Sequence, residues 1–241
     1  MRQKVKLLTC QEKTQSKFSH IFVNAQKKFV MKIIIAFGTL AFLFICTASS
    51  PKKADEWISL FDGKTLNGWK VGKNASTFSV ENGTIIAHGE TAHLFYVGDS
   101  KNHNFKNFDF KAKVMTEPGS NSGIYFHTEY QEEGWPAKGY EVQVNNSHTD
   151  WRRTGSLYAV QDVKEKLVND NEWFTEEIIV QGKHVIIKVN DKVAVDYTEP
   201  DNAQRPADQA GRVISHGTFA LQGHDPKSKV YFKDIMVKSL D

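Results

Sequence analysis

The sequence predicts an all-β chain, an antiparallel sandwich or jelly roll of roughly ten to fourteen short strands. Three observations carry that expectation. Apolar and polar residues alternate over short runs, the period of a half-buried strand. Gly, Asn, Asp and Pro, the residues that turns require, separate the runs. No stretch of useful length repeats its apolar residues at helical spacing. With 40% hydrophobic and 24% charged residues in 241, the composition suits a globular protein with a substantial core.

The first fifty residues stand apart. They hold eight Lys/Arg and one acidic residue, +7 against a whole-chain +3, so residues 51–241 come to −4. The basicity belongs to this leader, and the remainder has no electrostatic footprint for nucleic acid. Met31-Lys32 precedes the apolar run IIIAFGTLAFLFIC (33–46) and the small polar TASS, the order of a secretory signal peptide. The run is shorter than the roughly 20 apolar residues of a membrane span. Residues 1–50 are therefore expected to be a signal-peptide region, with translation starting at Met31. The product is expected to be exported, periplasmic or extracellular. Cleavage after Ala48 ranks first. Lipidation of Cys46 ranks second, because Ile45 departs from the small residue of a lipoprotein signal. Cys10 and Cys46 are the only cysteines, so a domain over 51–241 has no disulfide, thiol nucleophile or cysteine metal site.

Residues 51–241 show no linker or internal repeat, and one domain is expected. TFSVENGTIIAH (77–88) predicts two strands around Asn82-Gly83, a strong hairpin signal. NFDFKAKVMTE (107–117) alternates with Phe108, Phe110, Ala112 and Val114 on one face. SGIYFHTE (122–129) places Ile124 and Phe126 inward, Tyr125 and His127 outward. GYEVQVNN (139–146) turns Tyr140, Val142 and Val144 one way and Glu141, Gln143 and Asn145 the other. Residues 175–199 divide into three strands at Gln181-Gly182 and Asn190-Asp191, and 217–224 and 229–240 supply two more.

The outward set is chemically distinctive. His127, Glu141, Gln143, Gln222 and His224 stand where a solvated sheet face more commonly carries Lys, Glu and Thr. Such a set suits a groove for a polar ligand. Loops add Trp135-Pro136 and Trp151-Arg152-Arg153. Indole rings pack on the C–H faces of sugars, and Arg donates paired hydrogen bonds to oxygens. Trp57, Trp69 and Trp173 sit in apolar contexts and are expected in the core. Asp225 either orients the His224 imidazole or opens the turn at Pro226. The histidines show no metal-binding spacing, and a mixed His/Glu site across strands stays open.

WISLFDGKTLNGWK (57–70), SNSGIYFHTEY (120–130), GYEVQVNN, TGSLYAVQ (154–161), residues 171–197 and GTFALQGHDPKSKVYFKDIMVKSL (217–240) occur in the order of one family. Together they resemble the 3-keto-disaccharide hydrolase domain over nearly all of 55–241. The resemblance implies a concanavalin A-like, laminin-G-like jelly roll and a secreted or envelope protein acting on carbohydrate.

An ordinary glycosidase needs two carboxyl groups. Sandwich glucanases carry them as E-x-D-x-E on one strand, and the stretch Glu141-Val-Gln143-Val-Asn145 keeps one acid of three. A 3-keto-glycoside needs less. Its ketone acidifies the carbon-2 hydrogen, so one base can start an elimination that water completes. Glu141 or His127 are the candidate bases. His224, Arg212 or a divalent metal ion would hold the enolate oxygen. Gln143, Gln222, Tyr125, Trp135, Arg153 and Arg212 are candidates for substrate binding. A carbohydrate-binding module without catalysis is the alternative.

Overall fold

The structure, a computed structural model, describes residues 56–241. The leader, with its start at Met31 and its processing at Ala48 or Cys46, lies outside the described residues. Thirteen strands follow in order: β1 (Ile58–Ser59), β2 (Trp69–Val71), β3 (Phe78–Glu81), β4 (Thr84–Ala87), β5 (Ala92–Tyr96), β6 (Phe108–Thr116), β7 (Ser122–Thr128), β8 (Tyr140–Val144), β9 (Phe174–Gln181), β10 (His184–Val189), β11 (Lys192–Thr198), β12 (Thr218–Gly223) and β13 (Val230–Ser239). The hairpin around Asn82-Gly83 and the three-strand meander over 175–199 fall where the turn residues place them. Asn82, Gly83, Asn190 and Asp191 all take positive φ, as tight hairpin turns demand.

The strands form two antiparallel sheets. One runs β11-β10-β9-β6-β13-β4-β3, with β1 also on β13, and the other runs β2-β5-β12-β7-β8. Their inner faces make the core. Phe108, Phe110, Ile178, Val185, Phe232 and Val237 from the larger sheet meet Leu94, Ile124, Val142, Phe219 and Leu221 from the smaller. Phe219 is the cross-sheet key, its ring centroid 4.6 Å from Phe110 and 4.9 Å from Phe108.

Of the tryptophans expected inside, Trp69 is buried and donates its indole N–H to Leu60 O at 2.7 Å. Trp57 and Trp173 correct the expectation. Trp57 is half-buried beneath the ammonium of Lys111, and Trp173 is exposed with Lys233 4.0 Å above its ring. Strand lysines cover these rings, as amphipathic side chains do on a sheet face.

The smaller sheet positions the site. Its inner residues alternate with Tyr125, Glu141, Gln143, Gln222 and His93 on the other face, and the register pairs Tyr125 with Glu141 and Gln222 with His93. The alternation breaks once. Between β7 and β12, Thr128 pairs with Thr218 but Tyr125 pairs with Ala220, so β7 carries one extra residue, a β-bulge. His127 sits in it at φ 55°.

Candidate active site

Side chains from β7, β8 and β12 form the floor of a cavity of about 310 Å³, walled by segments 135–137 and 208–212. Seven of the nine residues expected from the sequence line it: Tyr125, Trp135, Glu141, Gln143, Arg212, Gln222 and His224. Glu141 lies at the centre. Its Oε2 accepts the Tyr125 hydroxyl at 2.8 Å, its Oε1 accepts the Gln222 amide at 2.9 Å, and Arg212 Nη2 stands 3.8 Å from Oε2. Burial raises the Glu141 carboxyl above its ordinary value, while Tyr125, Arg212 and Gln222 pull it down. The Tyr125 phenol is raised well above its usual range, first by burial and then by the Glu141 charge.

Gln222 spends its amide hydrogens on Glu141 Oε1 and Tyr125 OH, and Gln143 spends its own on Asn121 Oδ1 (2.5 Å) and Ser122 O (3.0 Å). Their carbonyl oxygens are left buried without a protein donor, and so is that of Gln209. Buried acceptors of this kind are met by ordered water or by donors brought to the site.

At one side of the cavity His224 Nδ1 meets Asp225 Oδ2 at 2.7 Å. Both expectations for Asp225 hold, since its other oxygen accepts Lys227 N in the turn at Pro226. Its carboxyl is held at about 2 by hydrogen bonds from His224, Ser228 and the Lys227 amide, which outweigh burial. An ionised Asp225 keeps the Nδ1 of His224 as a donor and leaves Nε2 for the cavity. Trp135, half exposed, faces His224 with ring centroids 5.5 Å apart.

Two residues belong elsewhere. The bulge in β7 turns His127 away from the face of Tyr125 and buries it against Phe108 and Phe126. There its Nε2 donates to Lys106 O at 2.9 Å while Nδ1 accepts the Ser215 amide at 3.2 Å. Burial lowers its pKa to about 4, and with both ring nitrogens engaged by the backbone the imidazole lies apart from the cavity as an internal strut. Arg153 does not line the cavity either. Its guanidinium donates to Asn145 Oδ1 and to the carbonyls of His148 and Asp150, stapling its own loop.

Sequence periodicity missed several lining residues. Asn121, Tyr158, Asp150, Asp208 and Gln209 come from loops, which follow no strand alternation. Tyr158, inside TGSLYAVQ, is stacked on by Arg212 at 4.8 Å, and its carbonyl accepts Arg212 Nη1 at 2.9 Å. His93 is buried behind Tyr125 and Trp135, its pKa lowered by burial to about 3. Among the described residues no three His, Cys, Asp or Glu side chains converge as metal ligands.

A two-sheet antiparallel sandwich of concanavalin A type, with a cavity of carboxylate, amide and guanidinium groups beside an indole on its smaller sheet, suits a carbohydrate-active class of protein. The chain belongs to the family of the 3-keto-alpha-glucoside-1,2-lyase-like domain, whose profile matches residues 56–238. It is 30% identical, over 79% of its length and 81% of the relative's, to a 3-keto-disaccharide hydrolase of Bacteroides thetaiotaomicron. Among solved structures, a candidate glycosyl hydrolase of Parabacteroides distasonis superposes with a TM-score of 0.64 at 25% identity, over 77% of this chain and 94% of that one. A carbohydrate-binding module 66 of Bacillus subtilis shares the fold alone (TM-score 0.51, 12% identity, 71% and 96% coverage). The chain is thus a carbohydrate-active enzyme of hydrolase type.

Proposed function

We propose that this enzyme cleaves 3-keto-glycosides by elimination followed by hydration. One observation carries the reading: a single buried carboxylate, Glu141, lies beside a guanidinium on a floor of unpaired amide carbonyls. Asp150 and Asp208 also line the cavity, but Asp150 is engaged by Arg152 and Asp208 is exposed at the mouth. Double displacement needs a second carboxyl poised across the glycosidic bond, and elimination does not.

Glu141 removes the carbon-2 proton that the neighbouring ketone acidifies. The electron pair passes onto the ketone oxygen as an enolate, whose charge the Arg212 guanidinium offsets. The ketone re-forms as the carbon-1 to oxygen bond breaks, and the departing oxygen takes a proton from His224. The product is a 1,2-unsaturated keto sugar. Water then adds through its oxygen to carbon 1, one of its protons restoring His224. Glu141 returns its proton to carbon 2, completing net hydrolysis. The Gln143, Gln209 and Gln222 side chains line the space for the sugar hydroxyls, and Trp135 packs on the ring.

The test offers the purified protein 3-keto-glucosides beside the corresponding glucosides. Turnover of the keto substrates alone is expected. Equal cleavage of the ordinary glucosides, or turnover of neither, overturns the mechanism. The signal-like order of residues 31–50 supports action outside the cytoplasm, in a periplasmic, extracellular or Cys46-lipidated form. Cell fractionation finding the protein in the cytosol would refute that placement.

A further inference from the structure

Trp151 is 46% exposed, yet its loop is firmly held. The Asn145 amide donates to Asp150 O at 2.9 Å and Arg152 O at 2.7 Å, and Asn145 Oδ1 accepts His148 N at 2.8 Å. Arg153 adds its staple from the other side. The loop is thus preorganised, and it presents to water an indole whose burial would otherwise be favourable.

The indole is also continuous with the cavity. Arg152 lies 4.8 Å from the Trp151 ring and 4.6 Å from the Tyr158 ring, and Arg212 stacks on Tyr158 beside Glu141. From the same loop, the His148 ring faces that of His224 at 5.6 Å. An alternating stack of aromatic and guanidinium groups therefore leads from the carboxylate outward to Trp151. The His224 side reaches the same loop, and His224 is the group that protonates the leaving oxygen.

We propose that Trp151 is a stacking subsite for the leaving-group saccharide, immediately outside the cavity. The inference rests on the glycoside-cleaving reading above. The reacting keto sugar occupies the cavity with Glu141, and the next sugar lays its C–H face on the indole. The Arg152 guanidinium lies over the indole at 4.8 Å and the Lys164 ammonium at 5.3 Å, and both offer donors to the oxygens of a sugar laid on the part of the ring that stays exposed.

The test compares Trp151→Ala with the wild type on two substrates, a methyl 3-keto-glucoside and a 3-keto-trisaccharide. KM for the trisaccharide should rise about tenfold, the loss of one aromatic stack, while the methyl glycoside is unaffected. Trp151→Phe should recover part of the loss. Trp173→Ala, at an exposed indole on the other sheet, should change neither. Equal effects of Trp151→Ala on both substrates, or no effect on either, overturn the subsite.

Calorimetry with unoxidised gluco-saccharides, from methyl glucoside to the trisaccharide, separates the two claims. If the wild type turns over no keto-glycoside but its affinity rises with chain length and Trp151→Ala abolishes that rise, the subsite stands and the elimination mechanism falls. If affinity shows no dependence on length, or the same dependence in both proteins, the subsite falls.

Discussion

Glu141 is pulled in opposite directions, upward by burial and downward by Tyr125, Arg212 and Gln222, with burial prevailing. A base must be ionised to act, so activity should fail as the pH drops through this raised value. The acidic limb of kcat/KM is therefore expected above the ordinary glutamate range, about 4.3. Arg212→Gln should move that limb further upward, because the guanidinium favours the ionised form. Glu141→Gln should lower kcat by about 10²–10⁴-fold and erase the limb, with the fold retained. A pH–rate profile on a 3-keto-glucoside measures all three, and an unmoved limb in Arg212→Gln would detach Arg212 from the carboxylate. His127 teaches the opposite lesson at this scale. Its side-chain chemistry is as capable as that of His224, but one extra residue in β7 gives it carbonyl and amide partners in place of a ligand.

The strands were legible because each shows its own faces. Alternation placed Tyr125, Glu141, Gln143 and Gln222 together, since these positions on β7, β8 and β12 point to one side by parity alone. A bulge resets that parity and leaves no mark in composition, so His127 was misplaced. Loop residues such as Tyr158 and Gln209 had no period to betray them and reach the cavity only through tertiary docking. Gly123 carried a signal, since a glycine inside a strand marks a close approach. A β-carbon there would stand 2.6 Å from Glu141 Oε1, so the carboxylate lies across the strand where no side chain intervenes. Gly123→Ala should displace Glu141 from Tyr125 and Gln222, lowering kcat more than it raises KM. The overpacking should cost about 1–3 kcal/mol of stability. Steady-state kinetics beside denaturant unfolding check this, and full activity in a folded variant would show that Glu141 can lie elsewhere.

Across the whole molecule, two sheets sharing one apolar core should titrate little in the interior, yet Glu176 stands on the inner face of β9 with no exposure. Burial raises its carboxyl well above the usual range, and neither of its oxygens meets a protein donor. The native state therefore keeps a proton on Glu176 at pH values where the unfolded chain has released it. Stability from this group is complete below the unfolded value near 4.3. Above that value it falls by up to about 1.4 kcal/mol per pH unit until the native carboxyl ionises. His93 and His127, lowered to about 3 and about 4 by burial, act with the opposite sign. They remove stability as the pH falls below the unfolded histidine value near 6.5. The two slopes oppose each other in mild acid. Glu176→Gln cannot ionise, so its stability relative to the wild type should grow as the pH rises from 5 to 8. Urea unfolding at four or five pH values gives that difference directly, because the histidine contributions are common to both proteins and cancel. A difference that stays flat with pH would mean that Glu176 is already ionised in the folded core at pH 5. The interior between the two sheets would then be solvating a charge, which its surrounding apolar side chains give it no means to do.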